Sequence, residues 1–92
     1  MQVLKRDGRL QAYQADKIAL TLAKASDEIE QPFTRGDVDY LTSQVTERIE
    51  QLSTDPVSAL AVHKTVVSVL QDNGFDAIAQ AYDAKRLNGG QN

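Results

Sequence analysis

Residues 3–18 read VLKRDGRLQAYQADKI, a pattern typical of a β-hairpin whose second strand passes directly into a helix. Asp7 and Gly8 tolerate the positive φ angles that a two-residue type I′ turn requires. Such a turn would align three cross-strand pairs: Arg6 with Arg9, Lys5 with Leu10, and Val3 with Ala12. The two arginines of the first pair would repel each other slightly, so we expect solvent or an anion between them.

A helix is predicted to begin near Asp16, whose side chain is a suitable N-cap. Apolar residues then recur at helical spacing: Ile18, Leu22, Ala25 and Ile29. Lys17 is unusual, because a cation in the first helical turn faces the positive end of the helix dipole. An anion held by the N–H groups of the helix start, by Lys17 and by the Lys5-Arg6 pair would explain it. The alternative is that these cations are ordinary solvated charges on an exposed hairpin.

The length and composition of the chain limit what it can do. Its 92 residues are enough for one hydrophobic core but few for a complete enzyme. The formal net charge of −3 disfavours sequence-independent binding of nucleic acid, and the absence of cysteine excludes a disulfide, a zinc ribbon and thiol chemistry. No apolar run reaches the length of a membrane span or a signal peptide, so we expect a cytoplasmic protein without membrane contact.

Two further helices are predicted in the middle of the chain. The first follows a cap at Thr34 or Asp37 and has an amphipathic pattern: Val38, Leu41, Val45, Ile49 and Leu52. A connection over residues 53–56 separates it from the next helix, which should begin after Ser58 as its cap. That helix is apolar on several sides and should end at Asn73-Gly74, so we expect it to be the central helix.

Asp76 is predicted to cap a last helix, whose inner face would contain Ile78, Ala79, Tyr82 and Leu87. The polar, glycine-containing residues 88–92 then read as a flexible tail or linker after a domain of residues 1–87. The architecture is one hairpin followed by four helices. Because a two-stranded hairpin is only marginally stable by itself, it must pack on the helices. A third short strand is also compatible with the sequence.

The chemistry-bearing residues do not form a catalytic pattern. His63 is the only histidine, and without a cysteine or a second histidine it cannot complete a typical metal site, so we interpret it as a partly buried helix residue. Most of the carboxylates lie on the solvated side of helical patterns and are interpreted as a solubilising surface. Glycine patterns of the Walker A or Rossmann type do not occur. We therefore expect no catalysis by this chain alone.

Four segments in order suggest a family: Lys5-Arg6-Asp7-Gly8, Asp16-Lys17-Ile18, Val62-His63-Lys64, and residues 79–86, AQAYDAKR. Together they resemble the ATP cone, the nucleotide-sensing domain at the N-terminus of many ribonucleotide reductases that also occurs in their transcriptional repressor. The resemblance covers roughly residues 2–86. The ending AYDAKR is closer to the cones of the anaerobic and related reductases than to that of the aerobic catalytic subunit.

The resemblance implies an α+β, mostly helical fold in which a small three-stranded sheet caps a four-helix bundle. It also implies that ATP or dATP binds with Mg²⁺ in the cleft between hairpin and helices. By matching position, the phosphates would be held by Lys5, Arg6 and Lys17; the base and sugar side would be lined by Gln11, Gln14 and Ile18; and the pocket would be closed by Val62 and His63. Gln11 stands where the family often has an acidic residue, and Ala59 where it often has Thr or Ser.

The function that the resemblance implies is allosteric regulation of a ribonucleotide reductase, and hence of deoxyribonucleotide synthesis, by a domain that is not itself an enzyme. Its partners would be the nucleotide and the catalytic domain or subunit of the reductase, with self-association as a further expectation. One alternative is a DNA-linked regulator of the repressor type that lacks the zinc ribbon. Another is a degenerate cone that acts as a protein-interaction module.

Overall fold

The computed structural model describes residues 1–52 and 54–88. This part of the chain has three strands, β1 (Gln2–Leu4), β2 (Leu10–Ala12) and β3 (Val57–Ser58). Its four helices are α1 (Ala15–Glu28), α2 (Arg35–Gln51), α3 (Ala59–Asp72) and α4 (Asp76–Asn88). The predicted α+β class, a three-stranded sheet on four helices, is confirmed. Ser53 of the predicted connection, the side chain of Leu87 and residues 89–92 of the predicted tail lie outside what is described.

The hairpin turn differs from the predicted one by one residue. Lys5 N–H donates to the Arg9 carbonyl at 2.8 Å, and Gly8 N–H donates to the Lys5 carbonyl at 3.0 Å, so the loop contains three residues, 6–8. The observed pairs are Gln2 with Ala12, Val3 with Gln11, and Leu4 with Leu10. The predicted pairs Arg6–Arg9, Lys5–Leu10 and Val3–Ala12 are therefore wrong. A three-residue loop needs one residue with positive φ, which Gly8 supplies at +88°, whereas a type I′ turn would impose positive φ on Asp7 as well.

The change of register decides which side chains face the helices, because neighbouring residues of a strand point to opposite faces. Val3 and Gln11 line a cleft against the helices, and the Leu4–Leu10 pair is exposed on the other face. Arg9 is paired with Asp7 of its own loop, through Nε and Oδ2 at 2.6 Å. The Arg9 backbone N–H and guanidinium lower the pKa of the Asp7 carboxyl.

Strand β3 completes the sheet, whose order is β2-β1-β3. It pairs in parallel with β1, with Val3 opposite Val57 and Leu4 opposite Ser58. Gln2 N–H donates to Asp55 Oδ1 at 3.0 Å, which holds the loop before β3 against β1. Because Val57 is buried in the core, this strand anchors the hairpin to the helices.

The helix starts agree only in part with the predicted caps. Thr34 and Asp37 form a reciprocal capping box at α2, and Ser58 accepts from Ala61 N–H at α3, so the caps predicted for these two helices are confirmed. Helix α1 instead begins at Ala15 after Gln14, so Asp16 is its second residue and not its N-cap. Asp76 likewise is the first residue of α4 rather than the residue before it. Both acids remain in the first turn, where the helix dipole favours them.

The predicted helix end at Asn73-Gly74 is confirmed. Gly74 has φ +83° and donates its N–H to the Gln71 carbonyl at 3.0 Å, while Phe75 N–H donates to the Leu70 carbonyl at 2.9 Å. These two bonds make a Schellman motif, which satisfies carbonyls at the end of α3. The chain then turns directly into α4, and the ring of Phe75 meets that of Phe33 edge to face at 4.9 Å.

The prediction that helix α3 is packed on several sides is confirmed, since it packs against α2, α4 and strand β3. Helix α1 packs against the same two helices. All helices and β3 contribute to the buried core: Leu22, Ala25, Leu41, Val45, Ile49, Val57, Val66, Val69, Leu70, Ile78 and Ala79. Tyr82 of the predicted inner face of α4 packs against this core while partly buried. Among the helices described here, none combines the length and apolarity needed to cross a membrane.

Candidate functional site

A cleft of about 200 Å³ opens between the inner face of the hairpin and the helices. The starts of α1 and α3 and the middle of α4 form its other walls. It is lined by Val3, Lys5, Gln11, Ala12, Tyr13, Gln14, Lys17, Ile18, Ala59, Val62, His63 and Tyr82. Residues that are far apart in the chain therefore meet in one place, because the hairpin lies over the starts of α1 and α3 beside the middle of α4.

Seven of the eight residues assigned to a nucleotide site by resemblance lie in this cleft: Lys5, Gln11, Gln14, Lys17, Ile18, Val62 and His63. The eighth, Arg6, belongs to the hairpin loop and is not part of the cleft lining. Sequence reasoning did not assign Val3, Ala12, Tyr13 and Tyr82 to the site. Val3 lies two residues before Lys5, and residues two apart in an extended strand share a face, so this alternation could have revealed Val3.

The lining of the cleft is positively charged although the whole chain is acidic. Lys5 reaches it from the end of β1 and Lys17 from the first turn of α1, and none of its lining residues is Asp or Glu. Helix α1 has no side-chain cap at Gln14, which also lines the cleft. Two lysines beside the start of a helix are suited to an anion, because first-turn N–H groups and the helix dipole both favour negative charge.

His63 forms the deep wall on the α3 side and is 8% exposed. Its Nε2 lies 2.7 Å from Asp83 Oδ1. Its ring stacks on that of Tyr82, with 5.1 Å between ring centroids and 22° between the planes. His63 is thus a helix residue, as interpreted from the sequence, but it is buried rather than partly buried. It also lines the cleft.

Tyr13 forms the wall between the cleft and helix α2. Its hydroxyl lies 2.8 Å from Thr46 Oγ1, and Thr46 donates its own hydrogen to the Thr42 carbonyl at 3.0 Å. Since a hydroxyl has one hydrogen to donate, Tyr13 is the donor to Thr46. Burial raises the pKa of Tyr13, and the negative charge of Glu50 adds to that rise.

A second, acidic groove of about 460 Å³ lies between the start of α1 and helix α2. Four carboxylates line it: Asp16, Asp39, Glu47 and Glu50. Over residues 1–52 and 54–88, no three or more side chains of the metal-binding types come together as a metal site. All four carboxylates are exposed, so the groove is a solvated acidic surface, as the helical patterns suggested.

The family model described as the ATP cone domain matches residues 1–86. The chain belongs to the ATP-cone family. A search among curated proteins found no match. The ATP cone is a regulatory module, not a catalytic one, and it binds ATP or dATP as an allosteric effector. In this ATP cone, the cleft under the hairpin has the positive charge that such an effector requires.

Proposed function

We propose that this ATP cone binds ATP or dATP in the cleft under the hairpin and thereby regulates a ribonucleotide reductase. The observation that carries the proposal is the convergence of Lys5, Lys17 and the uncapped start of α1 on a cleft without a carboxylate. Such a site attracts a triphosphate even though the chain has a net charge of −3.

The size of the cleft indicates that only one part of the nucleotide is enclosed and that the rest lies outside. At about 200 Å³ it is smaller than the roughly 300–1,000 Å³ of typical ligand pockets, so it encloses only part of a nucleotide. We infer that the base and sugar enter it and that the phosphates lie at its mouth, against Lys5 and Lys17. Mg²⁺ would then be held mainly by the phosphate oxygens, since oxygen ligands of substrate phosphates commonly bind this ion.

The polar groups of the cleft suit an adenine base. Gln11 and Gln14 each offer both a donor and an acceptor through the side-chain amide, and a base edge needs both. Ile18 and Val62 provide apolar walls beside them. Ala59 brings no hydroxyl to the cleft, so the choice between ATP and dATP depends on the remaining polar groups.

Regulation requires that the nucleotide bind two states of the larger assembly with different affinity. We infer that the other state involves the catalytic domain or subunit of a reductase, or a second copy of the cone. The exposed hairpin that roofs the cleft is in a position to contact such a partner, because its Leu4–Leu10 face is open to solvent. Opposite effects of ATP and dATP would require each to favour a different arrangement.

The decisive experiment is calorimetric titration of the chain with ATP, dATP and GTP in the presence of magnesium. We expect micromolar or tighter binding of the adenine nucleotides and weaker binding of GTP. Lys17→Ala should weaken ATP binding about tenfold, since a charge-assisted contact with phosphate is lost. Lys24→Ala is the matched control, because this lysine lies on the same helix outside the cleft and should leave the affinity unchanged.

Two outcomes would contradict the proposal. Absence of heat and of thermal stabilisation with all three nucleotides would reduce this cone to an interaction module. Equal affinities in wild type, Lys17→Ala and Lys24→Ala would mean that the nucleotide binds elsewhere on the molecule.

A further inference from the structure

Two consecutive residues of helix α4 contact the same histidine ring from different directions. Tyr82 stacks on the face of His63, and Asp83 meets its edge with Oδ1 at 2.7 Å from Nε2. The ring is buried while the Asp83 side chain is 52% exposed. The orientation of His63 is therefore determined by α4 as well as by its own helix α3.

The contact with Asp83 also determines which ring nitrogen carries hydrogen in the neutral ring. An ionised carboxylate accepts hydrogen bonds and cannot donate one. Nε2 must therefore be the nitrogen that carries hydrogen, and Nδ1 of the neutral ring has a lone pair and acts as an acceptor. Without a fixed partner, the two neutral forms of the ring would exchange freely.

We propose that Asp83 is a positioning residue for nucleotide binding, which holds His63 in the Nε2–H form so that Nδ1 accepts a hydrogen bond from a ribose hydroxyl. This inference rests on the proposed function of the cleft. Ribose hydroxyls are hydrogen-bond donors, whereas ionised phosphate oxygens only accept. A neutral ring fixed in this form is suited to the sugar and not to the phosphates.

Removal of the Asp83 carboxylate should weaken the binding of ATP, whereas electrostatics alone would predict stronger binding. Asp83 is negatively charged and its carboxylate lies beside a cleft residue, so removing the charge should by itself improve the binding of a triphosphate. Loss of the fixed Nε2–H tautomer of His63 should instead weaken the binding of ATP. The two effects can be distinguished, because the electrostatic effect acts on any triphosphate, whereas the effect of the His63 tautomer requires a nucleotide with a ribose hydroxyl.

Calorimetric titration with ATP and with 2′,3′-dideoxy-ATP tests this for wild type and Asp83→Asn. An amide can accept or donate, so Asn fits either form of the ring and no longer selects one. We expect about tenfold weaker binding of ATP, as for the loss of one well-placed hydrogen bond, and no loss for the dideoxy nucleotide. Asp27→Asn is the charge control, because Asp27 is exposed on α1 and lies outside the cleft.

The ring itself can be observed by nitrogen-15 NMR, since His63 is the only histidine. For the neutral ring, the wild-type spectrum should show the Nε2–H form, and Asp83→Asn should show a mixture of both forms. Asp83→Glu retains an acceptor-only carboxylate and should keep part of the wild-type signature and affinity. This conservative variant preserves the test if Asp83→Asn does not fold.

The outcomes separate this inference from the proposed function. If wild type binds no nucleotide, the proposed function fails and the role of Asp83 fails with it. If wild type binds ATP but Asp83→Asn binds both nucleotides as wild type does, or loses both equally, only the inference about Asp83 is overturned. An unchanged ring form in Asp83→Asn would overturn it as well.

Discussion

The hydroxyl groups of Tyr13 and Thr46 are hydrogen-bonded at 2.8 Å, and this bond links the end of strand β2 to helix α2. Tyr13 is the donor in this bond, because Thr46 donates its own hydroxyl hydrogen to the Thr42 carbonyl. Tyr13 also lines the cleft, so the same residue that supports the sheet borders the proposed nucleotide site. The hydroxyl of Tyr13 therefore contributes both to the stability of the hairpin and to the shape of the cleft.

We predict that Tyr13→Phe lowers the free energy of unfolding by about 1 kcal/mol, because it removes one hydrogen bond and leaves Thr46 without its donor. Urea denaturation measures the change. Tyr40→Phe is the matched control, since Tyr40 is 55% exposed, and its effect should stay within about 0.5 kcal/mol. Equal effects of the two substitutions would show that the Tyr13–Thr46 bond does not stabilise the fold.

A second prediction concerns alkaline pH. Burial raises the pKa of Tyr13 above its ordinary value of 10.0, so the unfolded chain loses this proton at a lower pH than the folded protein does. The resulting contribution to stability is complete below the ordinary pKa and decreases as pH rises through the window above it. Wild type should therefore lose its stability advantage over Tyr13→Phe as pH rises past about 10. A constant difference between their unfolding free energies across that range would contradict the pKa shift.

A third prediction compares two leucines of helix α3. Leu70 is fully buried in the core, whereas Leu60 is 47% exposed near the helix start. Leu70→Ala should lower the free energy of unfolding by about 2–5 kcal/mol, because it leaves a cavity that the neighbours fill incompletely. Leu60→Ala should change it by no more than about 0.5 kcal/mol. Thermal or urea denaturation of both variants gives the comparison, and similar losses would mean that the buried Leu70 stabilises the core no more than the exposed Leu60 does.

A fourth prediction uses two glycines in helix-terminal positions. Gly74 has φ +83° and a Cβ added there would meet open space, so Gly74→Ala should cost about 1–2 kcal/mol through backbone strain alone. Gly36 lies in the first turn of α2, where an added Cβ meets Thr34 Oγ1 at an ordinary 3.8 Å. Gly36→Ala should therefore stabilise the protein by about 0.5–1 kcal/mol. Urea denaturation measures both changes, and changes of the same sign would contradict the left-handed helix end at Gly74.

The elements that sequence reasoning predicted correctly depend on local contacts. The caps Thr34 and Ser58 bond N–H groups three residues away, and the Gly74 helix end needs only one permissive backbone position. Most residues of the cleft were also predicted from the sequence. The predictions came from the resemblance to the ATP cone and from the unusual position of Lys17 at a helix start. These features lie in short segments, so the order of residues was enough to recognise them.

The features that were missed or wrong depend on contacts between distant segments. Hairpin loops of two and of three residues are both compatible with Asp7-Gly8, and the structure has the three-residue loop, which pairs Val3 with Gln11. Helix α1 begins at Ala15 without a side-chain cap at Gln14, so no local capping signal marked its start.

The sequence by itself determined the four helices, the hairpin and the family, because helical periodicity, capping residues and turn glycines act over a few residues. Only the tertiary structure decided which face of the hairpin closes the cleft and that Asp83 meets His63 across twenty residues of chain. The physical reason is that a strand register and a side-chain pair between two helices are set by the packing of the whole core, to which local preferences contribute little.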